Sequence, residues 1–182
     1  MKDTPRFKPT VLILGSSIFE QWTCVQAAVP GCRVVNRAIG GTVTAFWVEH
    51  LATVLTEVSP DFVLFYCGSN DLNAEVSDEA IVANVLACRA TLKALAPATK
   101  LAYFGIIKAP QKLGKWEQIE QINTAIGTQL APGDLYVESN AVFFPESAPI
   151  AHYFTEDSLH LTDDAYAALA DYAQPLLAEW IF

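Results

Sequence analysis

Short apolar runs alternate along this chain with longer segments of helical period, and this alternation is the feature that most constrains the fold. Five apolar runs predict β-strands, at residues 11–14, 33–36, 61–67, 100–106 and 134–138. The segments between and after them predict helices, at residues 17–28, 43–57, 78–96, 115–130 and 163–180. Strands that are apolar at nearly every position are typical of a parallel sheet covered by helices on both faces.

This pattern predicts one domain over residues 1–182, with an α/β fold built as a three-layer α/β/α sandwich. Its centre would be a five-stranded parallel sheet, for which the flavodoxin-like order 2-1-3-4-5 is a common solution. In such a sheet, ligands bind at the carboxyl ends of the strands, at the point where the strand order reverses. For this order the point lies between the first and third strands.

Composition and charge argue against several other classes of protein. Apolar residues make up 52% of the chain and charged residues only 17%, which argues against intrinsic disorder. The formal net charge of -9 argues against a nucleic-acid partner. The four cysteines (Cys24, Cys32, Cys67 and Cys88) lack metal-binding spacing, so we expect no zinc site, and we expect Cys67 and Cys88 to be buried thiols.

The sequence gives no sign of a membrane segment or a leader. No stretch approaches the ~20 apolar residues of a membrane-spanning helix. Residues 1–10 lack the apolar stretch of a signal peptide, so a cytoplasmic location is expected. The oligomeric state stays open.

Polar groups follow the first and third predicted strands. Ser17 comes directly after the first strand in Gly15-Ser16-Ser17, and Asn70 follows the third in Gly68-Ser69-Asn70-Asp71. The predicted strand order makes these segments neighbours in space, although they are far apart in sequence. Near the C-terminus, Asp157-Ser158-Leu159-His160 supplies a carboxylate and an imidazole on one short segment.

These residue types are the ones that serine catalysis requires. A serine hydroxyl is a weak nucleophile until a base removes its proton, and that base needs a third group to fix its tautomer. Asp157 and His160 fit those two roles, and Asn70 offers an amide of the kind that stabilises an oxyanion. Taken singly, each has a plainer interpretation: Ser17 as a helix cap, Asn70 as a turn residue, and Asp157 with His160 as a surface hydrogen bond. Their coincidence at the switch point favours a serine hydrolase.

The ordered segments resemble the sequence blocks of the SGNH, or GDSL, hydrolases, a superfamily of esterases and lipases. Four segments carry the resemblance, in family order: residues 15–17 (Gly-Ser-Ser), 36–42 (Asn-Arg-Ala-Ile-Gly-Gly-Thr), 68–71 (Gly-Ser-Asn-Asp) and 157–160 (Asp-Ser-Leu-His). Ile18 and Trp22, which follow the first block, are similar to residues of members that resemble platelet-activating-factor acetylhydrolases.

The resemblance implies a role for each matching residue. Ser17 would be the nucleophile, His160 the general base and later the acid, and Asp157 the partner of the histidine's other nitrogen. The oxyanion would be bound by the backbone N–H groups of Ser17 and Gly41 and by the side-chain amide of Asn70. Glycine suits position 41 because no Cβ then obstructs the approach of the substrate to the donor. The resemblance implies no metal and no organic cofactor.

Two positions depart from the family's pattern. Ser16 stands where the family usually has aspartate, which leaves two adjacent serines. Alignment with the third position of the block favours Ser17 over Ser16 as the nucleophile. Ala38 stands where many relatives have glycine, and we expect this to change the shape of the loop rather than the chemistry.

The sequence therefore predicts a serine esterase that hydrolyses a small-molecule carboxylic ester through an acyl-enzyme. Because the chain has little sequence available for a lid, short acyl groups are favoured over long-chain lipids. A carbohydrate O-deacetylase and a thioesterase are alternatives that would use the same site. From a different class, a non-catalytic flavodoxin-like module that binds a phosphate or a flavin stays open, as does a catalytically inactive relative.

Other aromatic residues and histidines receive no catalytic role. Trp22, Phe46 and Trp47 follow the first two blocks, and we expect them to pack against helices rather than to border an acyl pocket. His50 lies in the second predicted helix and is expected at the surface or at an interface. His152 precedes the last block and is a candidate to line the pocket.

Overall fold

The computed structural model describes residues 8–182, and its centre is a five-stranded parallel sheet. The strand order is β2-β1-β3-β4-β5, which confirms the predicted order. The strands are β1 (Thr10–Gly15), β2 (Arg33–Asn36), β3 (Phe62–Tyr66), β4 (Lys100–Phe104) and β5 (Leu135–Val137). Residues 1–7 lie outside the described residues. They belong to the predicted domain, and they include most of the segment 1–10 for which no leader is predicted.

Seven α-helices occur in the described part of the chain, and four long ones confirm the predicted helices. Their bounds are α1 (Ser17–Glu20), α2 (Thr44–Glu57), α3 (Ser69–Asn73), α4 (Asp78–Leu95), α5 (Trp116–Gln129), α6 (Asn140–Phe143) and α7 (Asp163–Ile181). The short helices α3 and α6 were not predicted, because four or five residues are too few to show a helical period. Within residues 8–182, none of these helices has the length and apolar character needed to cross a lipid bilayer.

One predicted helix is wrong. Residues 17–28 were predicted to form one helix, but α1 ends at Glu20 and a separate 3₁₀ turn covers Val25–Ala27. Side chains from distant parts of the chain bind the carbonyls of this turn. The carbonyl of Ile18 accepts a hydrogen bond from the Tyr166 hydroxyl at 2.8 Å, and that of Phe19 accepts one from the Asn36 amide at 2.9 Å. The N–H groups that a continuing α-helix would pair with these two carbonyls bond elsewhere: the N–H of Trp22 donates to the carbonyl of Phe19 at 3.3 Å, and that of Thr23 to the carbonyl of Gln21 at 2.8 Å.

The sheet separates two apolar layers, which confirms the three-layer sandwich. Val11 and Ile13 of β1 belong to the cluster that contains the buried face of α7, whereas Leu12 and Leu14 belong to the cluster that contains those of α2, α4 and α5. Successive residues of a strand point to opposite faces, so a strand that is buried on both faces must be apolar throughout.

Several smaller expectations about burial are also confirmed. Cys67 and Cys88 are buried, and Trp22 and Trp47 lie in the apolar core, against which the partly buried Phe46 also packs. All four cysteines are free thiols.

Candidate active site

Ser17 lies at the carboxyl end of β1, where the chain turns sharply into α1. Gly15 has φ +135°, and a Cβ at that position would lie 1.9 Å from the carbonyl oxygen of Tyr66 in the neighbouring strand β3. Only glycine permits this approach. The next residue, Ser16, donates its N–H to the same carbonyl at 3.0 Å and is only 2% exposed. The turn thereby buries Ser16 and leaves Ser17 half-buried at the edge of the sheet.

The segment that carries Asp157 and His160 is a closed loop. Its ends are joined by the antiparallel bridge between Phe154 and Leu161, and the N–H of Thr155 donates to the carbonyl of His160 at 2.8 Å. Between the aspartate and the histidine, Ser158 has φ +62°, in the left-handed region that few non-glycine residues adopt. This turn brings the side chains of Asp157 and His160 to the same side of the loop.

Oδ1 of Asp157 is fully occupied as an acceptor. It accepts hydrogen bonds from the N–H of Leu159 at 2.9 Å, the N–H of His160 at 2.9 Å and the hydroxyl of Thr155 at 2.8 Å. These bonds hold the carboxylate so that its other oxygen, Oδ2, faces the imidazole.

Ser17, His160 and Asp157 form a continuous hydrogen-bonded chain. The distance from the Ser17 hydroxyl oxygen to His160 Nε2 is 2.9 Å, and that from His160 Nδ1 to Asp157 Oδ2 is 2.5 Å. The hydrogen bond with the His160 ring, aided by the N–H groups of His160 and Leu159, holds the pKa of the Asp157 carboxyl well below its usual range. The carboxyl is therefore a carboxylate at neutral pH, which keeps a proton on Nδ1 and leaves Nε2 free to accept one from the serine.

Gly41 and Asn70, the other two predicted site residues, lie on segments that contact each other. The amide Nδ2 of Asn70 donates to the carbonyl of Thr42, next to Gly41, at 3.0 Å. An amide nitrogen carries two hydrogens, so a second donor remains for a ligand. Gly41 has φ +77°, and a Cβ there would meet no other heavy atom within 4 Å. The left-handed backbone is therefore a reason for glycine at this position, and the predicted need for room beside an approaching substrate stays a prediction.

Thr42 and Asp71 organise this part of the site, although no role is predicted for either of them from the sequence. Thr42 is buried, and its hydroxyl donates to the carbonyl of Ile39 at 2.9 Å while accepting from the indole N–H of Trp47 at 3.2 Å. Asp71 is fully buried and accepts from the N–H of Thr44 at 3.0 Å and from its hydroxyl at 2.5 Å. The Asp71 carboxylate thus binds the first N–H of α2 and ties the loop of Gly41 to α3. Both residues lie in the segments that resemble the family's blocks, and this position was the sequence signal that could have indicated a role for them.

The other two histidines lie apart from this chain of contacts. The ring of His50 stacks on that of Phe46 at a centroid distance of 4.0 Å on the exposed side of α2. This confirms a surface position. His152 is exposed and packs its ring against Tyr153, so its predicted place in the pocket stays a prediction.

Serine, histidine and aspartate joined in this way are a constellation that serine hydrolases of several unrelated folds share, and here the three residues meet at the switch point of a parallel sheet. The chain belongs to the GDSL-like lipase/acylhydrolase family, which it matches over residues 13–168. Its membership makes the protein a serine hydrolase of carboxylic esters, within the SGNH or GDSL superfamily. A comparison with curated proteins found no match.

Solved structures share the fold at low sequence identity. A proposed platelet-activating factor from Streptococcus pneumoniae superposes with a TM-score of 0.81 at 21% identity, over 96% of this chain and 86% of that chain. A GDSL-like lipase from Bacteroides thetaiotaomicron gives 0.79 at 18% identity, over 94% and 88%. A family 3 carbohydrate esterase from Talaromyces cellulolyticus gives 0.76 at 20% identity, over 95% and 98%. At these identities the likeness establishes the shared fold.

Proposed function

We propose that the protein hydrolyses carboxylic esters through an acyl-enzyme formed on Ser17, with His160 as the base and Asp157 as the group that orients it. One observation carries this proposal: the Ser17 hydroxyl is 2.9 Å from His160 Nε2, while the opposite ring nitrogen is 2.5 Å from Asp157. These distances suit a proton transfer from the hydroxyl to the ring.

The proposed reaction has two halves. In the first, the Ser17 oxygen bonds to the ester carbonyl carbon while His160 Nε2 takes the hydroxyl proton. The bond to the alcohol oxygen then breaks, and His160 returns the proton to the leaving alcohol. In the second, a water molecule attacks the acyl-enzyme, His160 takes and returns a proton in the same way, and the acid leaves. Asp157 stays ionised throughout and stabilises the imidazolium that forms in each half.

The oxyanion of each tetrahedral intermediate would be bound by three donors: the backbone N–H groups of Ser17 and Gly41 and the side-chain amide of Asn70. The contact between Asn70 and the Thr42 carbonyl supports this role, because it holds the amide beside the loop of Gly41. Losing one such donor usually lowers kcat by ~100- to 1000-fold.

Esters with short acyl groups are the proposed substrates. The side chains of His160 and Asp157 are 28% and 50% exposed, so this side of the site is open to solvent. A long acyl chain gains affinity chiefly where apolar walls enclose it, whereas a small ester needs little enclosure. Carbohydrate O-acetyl groups and thioesters are chemically compatible with the same donors and base.

Hydrolysis of p-nitrophenyl acetate, butyrate and long-chain esters by the wild type, Ser17→Ala and Ser16→Ala tests the proposal. We expect turnover in the wild type and in Ser16→Ala, its loss in Ser17→Ala, and faster turnover of the short esters. Turnover that survives in Ser17→Ala would refute the assignment of the nucleophile. Faster turnover of the long-chain esters would refute the substrate preference alone, and no turnover by the folded wild type would favour an inactive, ligand-binding relative.

A further inference from the structure

A buried lysine links the two halves of the proposed site. Lys112 lies in the 3₁₀ turn Pro110–Lys112, on the connection between β4 and α5, and only 1% of its surface is exposed. Within residues 8–182 no carboxylate lies within 4.0 Å of its ammonium group. Burying a cation without a counter-charge is costly, so its remaining contacts must hold it firmly. Burial, together with the charge of Lys115, lowers the pKa of Lys112 to about 8, which is a consequence of this desolvation.

Both polar contacts of the Lys112 ammonium are made with α3, the helix that carries Asn70. Lys112 Nζ donates to the carbonyl of Ser69 at 2.8 Å and to the side-chain oxygen of Asn73 at 2.7 Å. The Ser69 carbonyl belongs to the same peptide group as the nitrogen of Asn70. This planar group includes the Cα atom of Asn70, to which the Asn70 side chain is attached. Holding the carbonyl oxygen therefore also holds the start of that side chain. Lys115 donates to the carbonyl of Leu72 on the same helix.

The residue before Lys112 contacts the loop of the proposed base. The backbone N–H of Gln111 donates at 2.9 Å to the carbonyl of Ser158, which lies between Asp157 and His160 in the sequence. Two successive residues therefore connect the left-handed turn of the histidine loop to the peptide group of Asn70.

We propose that Lys112 is a positioning residue that holds the Asn70 amide in register with the His160 loop. The proposal rests on the function proposed above, in which Asn70 binds the oxyanion. A donor contributes its full effect only when it meets the oxygen of the transition state at about 2.7–3.1 Å. Without the two contacts of the ammonium, α3 gains freedom and the amide meets that oxygen less well. The loss should appear in kcat, while KM for a small ester changes little.

A double-mutant cycle with Lys112→Met and Asn70→Ala tests this coupling. Methionine keeps much of the volume of lysine but removes the donor. We expect Lys112→Met to lower kcat on p-nitrophenyl acetate by about 10-fold, as for a misplaced rather than a deleted donor. In the Asn70→Ala background we expect the same substitution to change kcat by less than about 2-fold, because the two residues act through one contact. Lys112→Arg, which keeps a cationic donor, should recover part of the loss.

The matched control is Lys108→Met. Lys108 lies on the same connection, but its ammonium pairs with Glu120 instead of α3, so this variant should keep the wild-type kcat. If Lys112→Met does not fold, as judged by circular dichroism, Asn73→Ala replaces it in the cycle and removes one of the two acceptors on α3. Hydrogen exchange of the amides in α3 gives a readout without substrate, and faster exchange is expected in Lys112→Met.

The outcomes separate this inference from the function on which it rests. A folded Lys112→Met with wild-type kcat, or an equal loss with and without Asn70, would overturn the positioning role while leaving the esterase intact. Turnover that survives in Ser17→Ala would overturn the proposed function, and the inference with it.

Discussion

Replacing Asp157 with asparagine should almost abolish turnover, because the surroundings of this carboxylate dictate how the new amide must lie. Oδ1 of Asp157 accepts hydrogen bonds from the backbone N–H groups of Leu159 and His160, both at 2.9 Å. An amide nitrogen in that place would face two donors that cannot move. The asparagine must therefore keep its oxygen at the position of Oδ1. Its NH₂ group then takes the position of Oδ2 and faces His160 Nδ1.

This orientation selects the inactive tautomer of the imidazole. With an NH₂ donor opposite Nδ1, that nitrogen must accept, so the single proton of the neutral ring moves to Nε2. His160 Nε2 then points a hydrogen at the Ser17 hydroxyl, 2.9 Å away, and cannot take its proton. A wrong tautomer of this kind lowers kcat by about 10⁴-fold in serine proteases, or about 5 kcal/mol of activation free energy.

Steady-state hydrolysis of p-nitrophenyl acetate measures the effect of Asp157→Asn directly. We expect kcat to fall by about 10³- to 10⁴-fold. The circular dichroism spectrum should be unchanged, since the asparagine oxygen keeps the hydrogen bonds that Oδ1 accepts from the two N–H groups. Glu156→Gln, a change of charge at the adjacent position, is the matched control and should keep the wild-type rate. An Asp157→Asn enzyme within about 10-fold of the wild type would show that Asp157 does not fix the tautomer of His160.

Three further predictions concern the oxyanion, the turn before the nucleophile and pH. Asn70→Ala should lower kcat on p-nitrophenyl acetate by ~100- to 1000-fold with little change in KM, and a loss below about 5-fold would remove Asn70 from the oxyanion site. In a thermal scan, Gly15→Ala should lower the Tm by more than Gly31→Ala does. Both positions have positive φ, but only a Cβ at position 15 meets a backbone atom, the carbonyl oxygen of Tyr66 at 1.9 Å. Equal shifts in Tm would contradict this. In a pH profile of kcat/KM, protonation of Asp157 should cause no loss of activity in the range where an ordinary aspartate titrates, because its carboxyl pKa is held well below that range. An acid limb at about pH 4, the ordinary range of an aspartate, would contradict this environment of the carboxylate.

The sequence predicted the sheet because burial on both faces leaves a simple signature. All five strands were located to within two residues at each end, and the observed order is the common one that was expected for such a sheet. The helix at 17–28 was wrong because its end depends on tertiary contacts. Asn36 and Tyr166 are distant in sequence from the carbonyls that they bind on α1, and no local pattern reports such contacts.

The site residues could be predicted because their chemistry is carried by short segments with recognisable spacing. The residues that hold those segments were not found. Thr42 and Asp71 act through hydrogen bonds to backbone groups, and any of several polar residue types could do this in a loop. Lys112 was overlooked because a lysine is usually exposed, and its burial becomes visible only when α3 is seen to lie against it.

The proposed mechanism requires that Ser17, rather than its neighbour Ser16, forms the covalent intermediate. Peptide-mapping mass spectrometry after reaction with a fluorophosphonate tests this most directly, since the reagent bonds to a serine only when a base activates it. We expect a single adduct on Ser17 in the wild type and in Ser16→Ala, and none in Ser17→Ala. An adduct on Ser16, or an unlabelled wild type that still hydrolyses esters, would contradict it.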